Sequence, residues 1–126
     1  MRNSRAKWTD ADLDEIILFK HSTRVQDEAL TWSYSTPHPF KEIFFFVPLR
    51  MNKATSIWVF AESNDDLDRW KSEGFILRIE ERIRSIMMAS DFPADLFDRV
   101  AFHFDSHENV VKNHEGNYFR RIRGRK

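Results

Sequence analysis

The chain has 126 residues, and its 20 basic and 20 acidic side chains cancel, which sizes it for one domain with one core and removes any bulk attraction to nucleic acid or acidic lipid. It has no cysteine, so disulfides, thiolate nucleophiles and cysteine-based zinc sites are excluded together, and a reducing, cytoplasmic setting is expected. Hydrophobic content of 41%, with twelve Phe and four Trp against three Gly and four Pro, predicts a packed interior rather than a disordered chain.

The opening Met1-Arg2-Asn3-Ser4-Arg5 is basic, but Asp10, Asp12, Asp14 and Glu15 follow in place of an apolar stretch, so no secretory signal is expected. No apolar run approaches the roughly 20 residues that span a bilayer, and no membrane association is expected. Residues 10–19 predict a first helix, with Thr9 as its cap and carboxylates in the first turn, where the helix dipole favours them. Residues 28–34 alternate weakly, placing Leu30, Trp32 and Tyr34 on one face, and read as a strand or as part of a longer helical region. Pro37 and Pro39 bracket His38 and mark a turn.

Glu42-Ile43-Phe44-Phe45-Phe46-Val47, stopped by Pro48, predicts a buried strand, and Thr55-Ser56-Ile57-Trp58-Val59-Phe60-Ala61 predicts a second, antiparallel to it across a short link. Ser63-Asn64-Asp65-Asp66 is a helix start, a serine cap followed by carboxylates. The helical pattern runs through Leu67 and Trp70, falters at Gly74 and resumes as an apolar stripe at Ile76, Ile79, Ile83, Ile86 and Met87. Asp91-Phe92-Pro93 ends it, a brief helical turn over 94–97 follows, and two strands, 100–104 and 118–123, close the chain. The expected fold is α+β: one domain over residues 1–126, a mostly antiparallel sheet of about four to five strands, packed by an N-terminal helix and a long central helix.

His103, Asp105, Ser106, His107 and Glu108 are the residues a catalytic function would use, because a Ser-His-acid relay needs nucleophile, base and carboxylate to converge. No glycine-flanked nucleophile elbow surrounds Ser106. The expectation is that Ser106 caps a short helical turn, with Asn109 three residues on. The five histidines lack ligand spacing: His103 and His107 would share a helix face, but alternation places His103 in a strand, and His21, His38 and His114 have no matching partner. No metal or cofactor is expected. Arg120, Arg121, Arg123, Arg125 and Lys126, beside Tyr118 and Phe119, have the chemistry to contact phosphates and bases, but a strand would split them between two faces.

The charges are unevenly spread. Asp65, Asp66, Asp68 and Glu73, and further on Asp91, Asp95 and Asp98, form acidic groups suited to a basic partner such as a nuclease groove. Trp58 or Trp70 would supply anchoring affinity if exposed.

From Trp70 to Phe75 and on through Ile79 to Met87, then Phe92-Pro93, Val100-Ala101-Phe102, Ser106-His107-Glu108-Asn109-Val110 and Gly116-Asn117-Tyr118-Phe119-Arg120, the C-terminal half resembles bacterial immunity proteins of contact-dependent growth inhibition and related polymorphic toxin systems. The N-terminal half carries no such resemblance. The resemblance implies a non-catalytic cytoplasmic protein that binds a cognate toxin C-terminal domain, a nuclease in many cases, and occludes its active site. It fixes no contact residue. A monomer or weak dimer with no direct contact to nucleic acid is expected. The alternative is a small RNA-binding protein or nuclease that uses the C-terminal histidines and arginines.

Overall fold

The computed structural model describes residues 10–46, 55–90 and 100–124. The chain opens with α1 (Asp10–Ser33), a helix of 24 residues. Ser22, Val25, Ala29 and Ser33 are all buried, and their spacing of three and four is the helical period. That period overrides the alternation of Leu30, Trp32 and Tyr34, so residues 28–33 belong to the helix rather than to a strand; Tyr34 lies just beyond it and is exposed. Ser33 ends the helix by bonding in two directions: its hydroxyl donates to Leu30 O at 2.7 Å and accepts from Phe40 N at 3.0 Å. The turn holding Pro37, His38 and Pro39 is thereby tied back to the helix.

Strand β1 (Glu42–Phe46) pairs antiparallel with β2 (Thr55–Ala61), with Glu42 opposite Phe60 and Phe46 opposite Ser56. The expected hairpin pairing is therefore present. Two helices follow, α2 (Asn64–Ser72) and α3 (Phe75–Ala89), and then β3 (Val100–Ser106). The single long helix of the sequence reading is broken at Gly74, whose φ of 72° lies in the left-handed region. A residue with a Cβ adopts that region only at a cost, so glycine is the residue that lets the chain turn there.

β3 pairs with β2 in parallel, Thr55 opposite Val100 and Ala61 opposite Ser106. Among the described residues the sheet has three strands in the order β1-β2-β3. The α+β class holds, but the sheet is mixed, not mostly antiparallel, and has fewer strands than expected. A parallel neighbour requires a long crossover, and α2 and α3 provide it. After β3 come α4 (His107–Asn113) and α5 (Tyr118–Gly124). The segment expected as a closing strand is thus a helix. Asn117 caps it, accepting at its side chain from Arg120 N at 3.0 Å and at its carbonyl from Arg121 N at 3.2 Å, and the inward residues Tyr118, Arg121 and Ile122 follow helical spacing.

The sheet separates two clusters. Ile43, Ile57, Val59 and Ala61 pack against Val25, Ala29, Trp70, Phe75, Ile79, Ile83 and Met87 of the first three helices. On the opposite face Trp58 and Phe60 pack with Val110, and Phe44, Phe46, Tyr118 and Ile122 flank them. Fully burying a side chain of this kind contributes about 1.5–3 kcal/mol, so the helical face carries most of the hydrophobic stabilisation. The two short C-terminal helices, with less apolar surface, rely on polar contacts to hold their places.

Candidate functional site

Two places in the fold gather chemistry-bearing side chains: the junction of β3 with α4 and α5, and the edge formed by α2 and the turn that follows α1.

At the junction, Ser106 is fully buried. Its hydroxyl accepts from Asn109 N at 3.0 Å, as the N-cap of α4, and donates to Asn64 Oδ1. The capping role expected of it is observed, and the hydroxyl has no free direction from which to attack a substrate. His107 turns its Nδ1 to the Tyr118 hydroxyl at 2.5 Å. Glu108 accepts from Asn64 N at 2.9 Å and from Lys112 Nζ at 2.8 Å. The Lys112 bond, then the Asn64 bond, hold the Glu108 carboxyl below its ordinary range, and the same pair raises Lys112. Serine, histidine and glutamate are therefore adjacent in sequence but serve no common relay: Ser106 and Glu108 both hold Asn64, and His107 holds Tyr118.

Asp105 organises the rest. Its carboxylate accepts from Ser106 N at 2.8 Å, from Asn109 Nδ2 at 2.8 Å and from Arg121 Nε at 2.5 Å. The Arg121 guanidinium lies 5.1 Å from the Trp58 ring centre, and Trp58 stacks on His103 at 4.4 Å and 16°. Arg121 thus clamps α5 onto the sheet. Arg120, on the outer side of the helix, pairs with Glu115 at 2.6 Å. Arg125 and Lys126 lie outside the described residues, as does the side chain of Arg123. Burial, then repulsion from Glu42 and Glu62, pushes the Tyr118 phenol up to about 12. Among the described residues no group of three His, Asp or Glu is gathered to hold a metal ion.

The second place is acidic. Ser63 caps α2, its hydroxyl accepting from Asp66 N at 3.1 Å, and Asp65 and Asp66 occupy the first turn, where unpaired backbone amides favour them. Leu67 and Trp70 are buried beneath the helix, which turns Asp65 and Asp68, three residues apart, to solvent. Neither is held by an ion pair or hydrogen bond among the described residues. Asp66 binds Arg69 at 2.7 Å, and Glu73 binds His38 at 2.8 Å. Residues 62–73 carry five carboxylates (Glu62, Asp65, Asp66, Asp68, Glu73) against two cations (Arg69, Lys71). Of the acidic residues singled out in the sequence, Asp65, Asp66, Asp68 and Glu73 share this edge, while Asp91, Asp95 and Asp98 lie outside the described residues. Trp58 and Trp70 are 3% and 1% exposed, so neither is a surface anchor: both face the core because their helix or strand turns its apolar side inward.

Beside this edge lies a cleft that no sequence pattern marks. Its volume is about 470 Å³, and it lies between the turn after α1 and the start of α2. Phe40 and Trp70 meet edge to face at 5.6 Å on its lining, and Tyr34, 63% exposed, forms an outer wall with Pro37 and Pro39. His38 is wedged between the prolines with its ring 4.8 Å from that of Phe75. Glu62 and Asp66 supply carboxylates at the rim, with Lys41, 3.9 Å from Glu62, as the one lysine or arginine of the lining among the described residues. In sequence, an aromatic on each side of Pro37-His38-Pro39 marks a stiff turn that presents rings, but not the cleft those rings help to form.

Searches of family models, characterised proteins and solved structures found nothing that matches this chain.

Proposed function

We propose that the protein is a non-catalytic binder of a basic protein partner, and that it acts as an immunity protein, docking on a cognate toxin domain such as a nuclease and covering its active site. The observation that carries this reading is the α2 edge, where Asp65 and Asp68 stand exposed and unengaged within a segment of five carboxylates and two cations. Carboxylates paired with no cation of their own fold are available to an outside partner, and a concentrated field of one sign speeds encounter with its opposite. The commitment of Ser106, His107 and Glu108 to capping and packing supports binding over catalysis. Nucleic-acid binding by the C-terminal arginines is disfavoured because Arg121 is engaged by Asp105 and Arg120 by Glu115.

The test begins with the reading frame immediately upstream of this chain's gene, where a cognate toxin domain would be encoded, and uses that domain as the partner. Stopped-flow association at low and at physiological salt is compared for the wild type and the double variant Asp65→Lys, Asp68→Lys. The expected result is association slowed about tenfold or more at low salt, with a flatter salt dependence, and loss of protection on co-expression with the toxin. Unchanged association and unchanged salt dependence would remove the α2 edge as the docking face. A toxin domain that neither binds this chain nor is neutralised by it would end the immunity reading.

A further inference from the structure

The cleft beside α2 has a lining unlike that of the edge around it. An acidic surface draws any cation, but this one adjoins a concave space of about 470 Å³ floored by aromatic rings, within the range of small-ligand sites. We propose that this cleft is the receptor for an arginine side chain presented by the basic partner. The proposal rests on the acidic edge being the docking face, and names the chemistry that would be read there.

Arginine fits the lining in three respects. Its guanidinium is a flat cation that stacks on aromatic faces, and the exposed Tyr34 ring provides such a face beside the buried rings of Phe40 and Trp70. Its fork of N–H donors matches a carboxylate, and Asp66 and Glu62 stand at the rim. Its stem is apolar, suited to the walls made by Pro37 and Pro39. A phosphate or carboxylate ligand is opposed by the same rim.

The fold itself uses this contact repeatedly. Arg78 lies over Phe75, Arg82 over Trp32, Arg84 over Phe102 and Arg121 over Trp58, with guanidinium carbons 5.1–5.8 Å from the ring centres.

The groups now holding the rim are replaceable. Asp66 is paired with Arg69 and Glu62 with Lys41, but the side chains of both pairs are 37–62% exposed, and the second pair is long at 3.9 Å. Exposed pairs of this kind contribute little, so an incoming guanidinium that excludes water displaces them readily. The wall, by contrast, is fixed: Glu73 holds His38, the prolines restrict the backbone, and Phe40 N is bound to Ser33. A preformed wall with a replaceable rim is what a receptor for one side chain requires.

The experiment titrates Nα-acetyl-argininamide into the ¹⁵N-labelled full chain at low salt and follows backbone amides together with the Trp70 indole resonance. The controls are Nα-acetyl-citrullinamide, which keeps the shape without the charge, and Nα-acetyl-lysinamide, which keeps the charge without the plane. The expected result is a saturable shift confined to residues 34–41, 62, 66 and 70, with citrulline at least tenfold weaker and lysine several-fold weaker. Asp66→Asn and Tyr34→Ala should each weaken arginine binding about fivefold or more. Both residues have solvent-facing side chains, and unchanged circular dichroism confirms folding. Shifts elsewhere, no saturation, or citrulline equal to arginine would overturn the proposal. Asp65→Lys with Asp68→Lys separates the two ideas, because those residues lie outside the cleft lining. Partner docking that responds to those reversals, in a protein whose cleft ignores arginine, sinks the cleft and leaves the acidic face standing.

Discussion

Replacing Arg121 by methionine tests whether the C-terminal helix is held by one charge. Methionine keeps an unbranched apolar stem but removes the guanidinium, so packing near Trp58 is partly retained while Asp105 loses its cation. Breaking a fully buried ion pair in this way destabilises by about 3–5 kcal/mol, because it strands a desolvated charge. Here the side chains are 12% exposed for Asp105 and 18% for Arg121, and Asp105 keeps its bonds from Ser106 N and Asn109 Nδ2. Partial hydration and those two donors reduce the expected loss to about 2–3 kcal/mol. With a urea slope of about 1–3 kcal/mol/M for a protein of this size, the unfolding midpoint falls by about 0.7–3 M.

A double-mutant cycle with Asp105→Asn isolates the pair, since the double variant no longer buries an unmatched carboxylate and recovers part of the loss. Hydrogen exchange localises the effect: amides of 118–124 should lose protection before those of β2. A loss below about 0.5 kcal/mol for Arg121→Met, or a coupling energy near zero, would refute the view that Arg121 clamps α5 to the sheet.

Three further outcomes follow from local geometry. The Tyr118 phenol, raised by burial to about 12, favours the protonated form in the folded state. The unfolded phenol ionises near pH 10, so its contribution is intact below that pH and is lost as pH rises through about 12. In a Tyr34→Phe background, phenolate absorbance should show the late midpoint, and Tyr118→Phe should remove that part of the alkaline loss in stability. Ser106→Ala removes the α4 cap and the bond to Asn64 from a fully buried position, and should cost about 1–2 kcal/mol in chemical denaturation. Gly74→Ala meets no atom within 4 Å, so its cost is that of the left-handed backbone alone, about 1–2 kcal/mol by thermal unfolding, and Gly74→Asn should cost less.

The sequence made the hairpin readable because Ile43–Phe46 and Ile57–Ala61 are short, apolar and interrupted at the right distance. Ser63 and Ser106 were readable as caps because a serine followed three residues later by a residue whose amide needs an acceptor is a local pattern. What misled was competition between periods. Leu30, Trp32 and Tyr34 alternate, but the buried set Ser22, Val25, Ala29 and Ser33 repeats at helical spacing, and polar members hid it. Tyr118, Arg120 and Ile122 likewise alternate, whereas the cap at Asn117 and the inward Arg121 belong to a helix. Strand direction was beyond local pattern, since nothing within residues 100–106 says which way β3 runs beside β2. The acidic edge was legible as composition, but the cleft was not, because Tyr34 and Trp70 come together only when the turn after α1 meets α2.

The parallel pairing of β2 with β3 also sets an order of events on the ribosome. The hairpin of β1 and β2 is complete once Ala61 has emerged, but the partner of β2's other edge is not made until Ser106. At about 5–20 residues per second that interval is roughly 2–9 s. During it Ile57, Val59 and Phe60 sit on a strand with one row of amides and carbonyls open, flanked by aromatic side chains. Strands in that condition pair with whatever is near. α1, made earlier, packs on one face of the hairpin, and the helices of the crossover, synthesised within the same interval, complete the cover of that face. The yield of folded protein should therefore depend on how quickly α2 and α3 form, a property set by Ser63 and the apolar stripe of α3 rather than by the strands they serve.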